Sequence, residues 1–175
     1  MEIKKLDQTN AFLIPQVLGL YKIELAKLIP LYPAGYIESK LGEMDEIYFR
    51  RIAQGEVFPN GRRRELDLLV ENNNLEGVLE HSQHFDHELL IGDILWVLDK
   101  TKGKGYGTQL IKNYIATSDE EGCDIVGLTV SRKNQDAIRL YKRLGFTYTV
   151  DLGNTGLQVY GLGISDRGKK VFENK

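Results

Sequence analysis

The sequence predicts an α+β fold in a single domain over residues 1–175, on three observations. Apolar residues recur at helical spacing before Glu65 and shift to strand-like alternation from there on. Leu89 to Leu98 is almost wholly apolar, as a central strand covered on both faces requires. A glycine-rich turn then joins that run to the most regular amphipathic helix of the chain.

Taken in order, Ile3 to Leu6 reads as a short strand. Thr9 and Asn10 offer N-cap oxygens for a helix that tolerates Pro15 in its first turn. Val17, Leu20, Tyr21, Leu25 and Leu28 repeat at helical spacing up to Pro30. Tyr32 to Tyr36 reads as a loop, and a second helix carries Met44, Ile47, Tyr48 and Ile52 on one face. Leu66 to Val70 and Leu75 to Glu80 are strands flanking an Asn72-Asn73-Asn74 turn. After the central strand, Gly107, Leu110, Ile111, Tyr114 and Ile115 mark the buried stripe of a helix. Ile125 to Val130 is a strand and Gln135 to Leu144 a helix. Phe146 to Val150 and Leu157 to Ile164 close the chain as a hairpin around Gly153-Asn154-Thr155-Gly156. No repeat or linker interrupts the pattern.

At 175 residues the chain can bury a core without a disulfide or metal staple. A formal net charge of −2 gives no global attraction to a polyanion, so no nucleic-acid partner is expected. Cys123 is the single cysteine and reads as a small core residue, with nothing nearby to activate a thiolate. Met1 to Asp7 is too polar for a signal peptide, and the apolar runs are too short to cross a bilayer. The expectation is a cytoplasmic protein with no membrane partner.

The chemistry concentrates in Lys102-Gly103-Lys104-Gly105-Tyr106-Gly107-Thr108, between the central strand and the amphipathic helix. Three alternating glycines let the backbone approach a ligand and adopt dihedrals forbidden to side chains. Their N–H groups and those of the helix start form an anion-binding concavity, and Lys102 and Lys104 add positive charge. A diphosphate suits such a turn; the alternative is a strand-to-helix turn with solvated lysines. A Walker A loop would need a lysine between Gly107 and Thr108. A dinucleotide fold would need the turn early in a parallel unit, not after antiparallel-looking strands.

A second segment runs Asn134-Gln135-Asp136-Ala137-Ile138-Arg139-Leu140-Tyr141-Lys142-Arg143-Leu144-Gly145-Phe146. Together with the glycine turn it resembles the GCN5-related N-acetyltransferase (GNAT) family. The family's first motif is Arg/Gln-x-x-Gly-x-Gly/Ala after a strand, matched here except that Lys102 replaces arginine or glutamine. Asn134, Ala137, Leu140, Tyr141, Gly145 and Phe146 match its second motif without a gap.

The resemblance implies a GNAT-like fold: a mixed, mostly antiparallel sheet flanked by helices, whose central parallel strands splay apart. The splay falls beside Leu95 to Leu98 and Thr129 to Ser131, and pantetheine fills it like an extra strand. The implied cosubstrate is acetyl-CoA, with no metal, and the implied reaction is N-acetylation of a primary amine by direct attack. Leu95, Val97, Asn134, Tyr141 and the turn from Lys102 to Thr108 match the coenzyme-binding positions. Val97 offers its backbone N–H to the thioester carbonyl, and Tyr141 protonates the leaving sulfur. Asn134 and Tyr141 stand nearly two helical turns apart and can face one cleft. Asn134 is also a good N-cap, and Tyr141 also suits a core aromatic. The base is open among Asp93, Glu88 and a water. The rival reading is a non-catalytic acyl-CoA-binding or regulatory domain of the same fold. The acceptor, a small molecule or a peptide, is not legible, and a homodimer is one outcome for oligomeric state.

His81, His84 and His87 invite a metal reading, but in a hairpin turn they need not converge, and a solvated turn or an acceptor-site wall serves as well. Arg62-Arg63-Arg64 reads as the solvated start of a strand, or as a contact to acidic substrate groups or the coenzyme's ribose phosphate. Tyr32, Tyr36 and Tyr48 are candidate wall residues of the acceptor pocket.

Overall fold

Residues 1–173 are described by a computed structural model. After β1 (Glu2–Lys5) come three helices, α1 (Ile14–Ala26), α2 (Tyr36–Glu43) and α3 (Glu46–Ala53). β2 (Arg64–Glu71), β3 (Asn74–Asp86) and β4 (Leu89–Asp99) follow, then α4 (Tyr106–Glu120), β5 (Ile125–Ser131) and α5 (Gln135–Arg143). The chain ends in β6 (Thr147–Asp151), β7 (Leu157–Gly163) and the short α6 (Asp166–Lys170). The strands form one sheet in the order β1-β2-β3-β4-β5-β7-β6. Every pairing is antiparallel except β4 with β5, which gives the mixed α+β sheet that the sequence predicts. No helix is long and apolar enough to cross a membrane among the described residues.

The two faces of the sheet bury separate clusters. α1 and α3 cover one with Val17, Tyr21, Phe49 and Ile52, over Leu66, Leu68 and Val78 of the sheet. α4 and α5 cover the other with Leu110, Ile111, Tyr114 and Ile138, over Leu79, Val126 and Val130.

Three expectations need correction. The stretch after Tyr32 is not all loop: Tyr36 opens α2, and a new helix starts where the Asp45 side chain accepts the Tyr48 N–H at 2.8 Å. That cap sets the phase of α3, so Tyr48, Phe49, Ile52 and Ala53 are buried and Ile47 lies opposite, 66% exposed. Asn10 does not cap α1: its side chain accepts from the Asp7 N–H and donates to the Lys5 carbonyl. β3 runs to Asp86, so His81 and His84 are strand residues and only His87, at φ +54°, turns the hairpin.

Candidate active site

β4 is where the site begins. Its parallel pairing with β5 runs from Ile91↔Ile125 to Ile94↔Leu128 and stops there, although β4 continues to Asp99 and β5 to Ser131. On the other side β4 stays paired to β3, with a bulge that takes the register from His81↔Ile94 to Glu80↔Trp96 and leaves Leu95 without a partner. The Lys100 N–H donates to the Glu76 carbonyl at 2.9 Å, which sets the phase of the antiparallel ladder. By its alternation Trp96 and Leu98 bond to β3, and the Val97 N–H faces the gap beside β5. The splay thus lies beside Leu95 to Leu98, as the family resemblance implies.

A cleft of about 220 Å³ opens along this gap, lined by Val97, Leu98, Lys102, Asn134, Ala137 and Tyr141 among others. At one end the glycine turn enters α4. Gly103 and Gly105 sit at φ +86° and +78°, where a side chain is strained, and Gly105 is the N-cap. Gly105 has no side chain to cap α4, and while the Gly107 N–H turns to the Asp99 carboxylate, Tyr106 and Thr108 stand at a helix start suited to an anion. Gly107 differs from the expectation: its backbone is helical, and a Cβ there would lie 3.2 Å from Asp99 Oδ2 and 3.5 Å from Val97 Cγ1. A methyl group there fits once the Asp99 side chain gives a little, and anything larger meets the end of β4. Lys102 lines the cleft, and Lys104 sits over the Tyr106 ring at 5.6 Å. Burial pushes the Asp99 carboxyl up, against the pull of the Gly107 N–H.

At the other end Asn134 caps α5 by accepting the Ala137 N–H at 3.4 Å, and Tyr141 lies two turns on in the same cleft. Tyr32 reaches this point from the segment between α1 and α2, its hydroxyl beside the Ser131 backbone and the Asn134 side chain. Ser131 anchors the segment by donating its hydroxyl to the Leu31 carbonyl. Burial, then the neighbouring Tyr32, push the Tyr141 phenol far above its ordinary range, so it stays protonated at any working pH.

A larger cavity of about 610 Å³ lies on the other side of Tyr32. It shares Tyr32, Ile94, Leu95, Trp96, Leu128 and Thr129 with the cleft, so the two spaces meet where the parallel pairing ends. Asp93 stands in its wall: Arg62 Nη1 donates to Oδ2 at 2.9 Å, and His84 Nδ1 lies 2.9 Å from the same oxygen at an oblique angle. Burial pushes the Asp93 carboxyl up, while His84 and Arg62 pull it back. Glu88 is on the exposed hairpin tip, outside this wall. Arg64 is also in the wall, and behind it Glu80, fully buried, accepts from Tyr21 at 2.7 Å, from Tyr48 and from Arg64 at 3.1 Å. Tyr48 therefore braces the wall rather than lining it.

His81 faces away from Asp93, packed on Tyr114 with ring centroids 4.3 Å apart, and the nearest acid oxygen, of Asp67, is 3.7 Å from its Nε2. The three histidines do not converge, and among the described residues no cluster of three or more His, Cys, Asp or Glu is placed to hold a metal. Cys123 is buried, as a core residue should be.

Sequence comparison decides what this geometry belongs to. The model of the acetyltransferase (GNAT) family matches residues 30–146. The chain belongs to the GNAT acetyltransferase family. Among the curated proteins none matches the sequence. Solved GNAT-type structures share the fold over nearly the whole chain. The PaiA N-acetyltransferase from Thermoplasma acidophilum, in complex with coenzyme A, gives a TM-score of 0.73 at 17% identity, over 93% of this chain and 99% of that one. Aminoglycoside 6'-acetyltransferase type Ii gives 0.69 at 14% identity, over 95% and 99%. A chain of the NatC complex bound to Gag peptide and CoA gives 0.62 at 17% identity, over 94% and 100%.

Within this GNAT chain, the Asp93–Arg62–His84 cluster and the approach of Tyr32 to Tyr141 were missed from sequence. Asp93 as a base, the arginine run and the histidines as a wall were each legible singly, and nothing in the sequence joined them; the second has no local signal at all.

Proposed function

We propose that the protein transfers an acetyl group from acetyl-CoA to a primary amine by direct attack. The observation that carries this reading is the meeting of cleft and larger cavity at Leu95, beside the Val97 N–H and the Tyr141 hydroxyl. The gap between β4 and β5 and the open backbone of Gly103 and Gly105 fit a pantetheine arm and a diphosphate. When bound, acetyl-CoA supplies the activated acyl group. Lys102 to Thr108 hold the diphosphate through backbone N–H groups and the Lys102 charge. Leu95, Val97 and Asn134 line the pantetheine path.

Asp93 takes a proton from the acceptor's ammonium, directly or through a water. The freed nitrogen forms its bond to the thioester carbon, and the Val97 N–H donates to the oxyanion that develops. The carbon–sulfur bond then breaks with its electron pair going to sulfur, and Tyr141 donates the proton that makes the thiol. The second proton shed by the attacking nitrogen returns through water to restore the Tyr141 hydroxyl. The acceptor enters from the larger cavity, whose volume admits a small molecule or the end of a peptide.

Thermal shift and thiol release test the reading together. CoA at one hundred times its dissociation constant should add about 2.7 kcal/mol of stability, with ATP and NAD adding far less. Acetyl-CoA with a panel of amines should release CoA thiol. Stabilisation by CoA without release for any amine would make the protein an acyl-CoA-binding domain instead.

A further inference from the structure

The larger cavity has more cations than acids in its wall: Lys40, Arg62 and Arg64 against Asp86 and Asp93. The inner of the two acids is already engaged, and the other stands at the exposed rim. Asp93 is held by Arg62 and His84, and Asp86 lies 3.8 Å from His87.

The arginines have donors to spare. Arg62 gives Nη1 to Asp93, and Arg64 gives Nη1 to Tyr48 and Glu80. Among the described residues neither guanidinium bonds the protein through Nε or Nη2. Arg64 also packs against two adjoining rings, its guanidinium carbon 5.1 Å from the Phe58 centroid and 5.5 Å from that of Tyr48. A guanidinium fixed by packing, with free N–H groups toward a cavity, is preorganised for a planar anion.

Resting on the acetyltransferase reading above, we infer that the acceptor is an amino acid or a compound like one, whose carboxylate is bound by Arg62 and Arg64. The fork of N–H donors on a guanidinium matches the two oxygens of a carboxylate. Arg62 touches Asp93, so it stands beside the carboxylate that serves the reacting nitrogen. In an α-amino acid one carbon separates amine from carboxylate, which matches that adjacency. Tyr36, Trp96 and Phe172 give the wall an apolar portion for the side chain.

Matched acceptors test this. The standard amino acids and their amides are compared by CoA release from acetyl-CoA. Their N-acetyl derivatives, as acid and amide, are compared by thermal stabilisation of the CoA complex, which needs no turnover. At least one acid should exceed its amide by about tenfold or more in kcat/KM, through KM. Arg64→Lys keeps a positive charge beside Glu80, and Arg62→Lys is remote from that buried acid. Arg64→Lys should erase the preference by raising KM for the acid and leaving the amide unchanged. Arg62→Lys also alters the partner of Asp93, so it should lower kcat for acid and amide alike and, beyond that, raise KM for the acid alone. Amides equal to acids in both assays would overturn the inference. An acid preference in stabilisation with no CoA release would uphold the carboxylate site and remove the transferase reading.

Discussion

Arg62 donates from Nη1 to Oδ2 of Asp93 across 2.9 Å, tying the chain two residues before β2 to the middle of the central strand. The same oxygen has His84 Nδ1 at 2.9 Å. Asp93 is thus a half-buried carboxylate aimed by two bases, with its Oδ1 on the side of Gly127, whose missing side chain leaves room there. Asp93→Asn preserves shape and removes the base. We expect kcat/KM to fall by about 10²- to 10⁴-fold while CoA affinity holds. Burial raises the Asp93 pKa, so its basic form accumulates as pH rises through that raised value. The wild-type rate should climb with pH on the acid side, and Asp93→Asn should lack that limb.

Tyr141→Phe keeps the ring against Phe146, whose centroid is 5.9 Å away, and removes only the hydroxyl. If the hydroxyl acts in the transition state, kcat falls and binding does not. A CoA thiolate is a fairly good leaving group, so the loss should be near the low end for acid catalysis, about 10²-fold or less. Steady-state kinetics beside a CoA titration measure it; wild-type kcat in the folded variant would leave protonation to water.

The glycines of the turn should divide into two kinds. At Gly105, φ +78°, alanine is strained by about 1–2 kcal/mol and should weaken CoA binding as the turn shifts. At Gly107 the nearest obstacle to a Cβ is the end of the Asp99 side chain, 3.2 Å away, so alanine should be tolerated. Gly107→Asp brings a second carboxylate beside Asp99 and should abolish CoA binding. Titration of CoA against the three variants, with a melt of each, separates strain from repulsion.

Asp124 closes the sheet at the other end. Its buried carboxylate accepts from the Leu90 N–H at 3.0 Å, Ser165 Oγ at 2.5 Å and Arg167 Nη2 at 2.9 Å. The Ser165 hydroxyl, then the Leu90 N–H, hold its pKa below the ordinary 3.8. Its stabilisation is therefore present above that value and is lost as pH falls through the lower, folded one. Asp124→Ala should cost about 2 kcal/mol at neutral pH by urea unfolding, with the difference from wild type shrinking in acid.

What sequence showed and what it hid follow from range. Gly103, Gly105, Asn134 and Tyr141 were legible because each answers a local demand: a positive φ, a helix cap, a spacing of two turns. The Leu95 bulge was hidden because its neighbours Ile94 and Trp96 are apolar, so a slipped register leaves no mark on the pattern. Ile47 was misplaced because the Asp45 cap, not the apolar count, sets where α3 starts. Tyr32 meets the Asn134–Tyr141 cleft across a hundred residues of chain, held there by the anchoring of Leu31 on Ser131 and by its packing on Tyr36 and Trp96.

An open sheet has two edges, and the end of pairing at Ile94 and Leu128 gives this one two more, inside the molecule. Those inner edges face each other across a gap that a backbone-like chain of amides can bridge. Their amide protons have no ladder to shelter them until such a chain arrives. Hydrogen exchange should therefore be fast at Val97 in the free protein and slow once CoA is bound. Leu98, already bonded to β3, should exchange slowly in both states and serve as the internal standard.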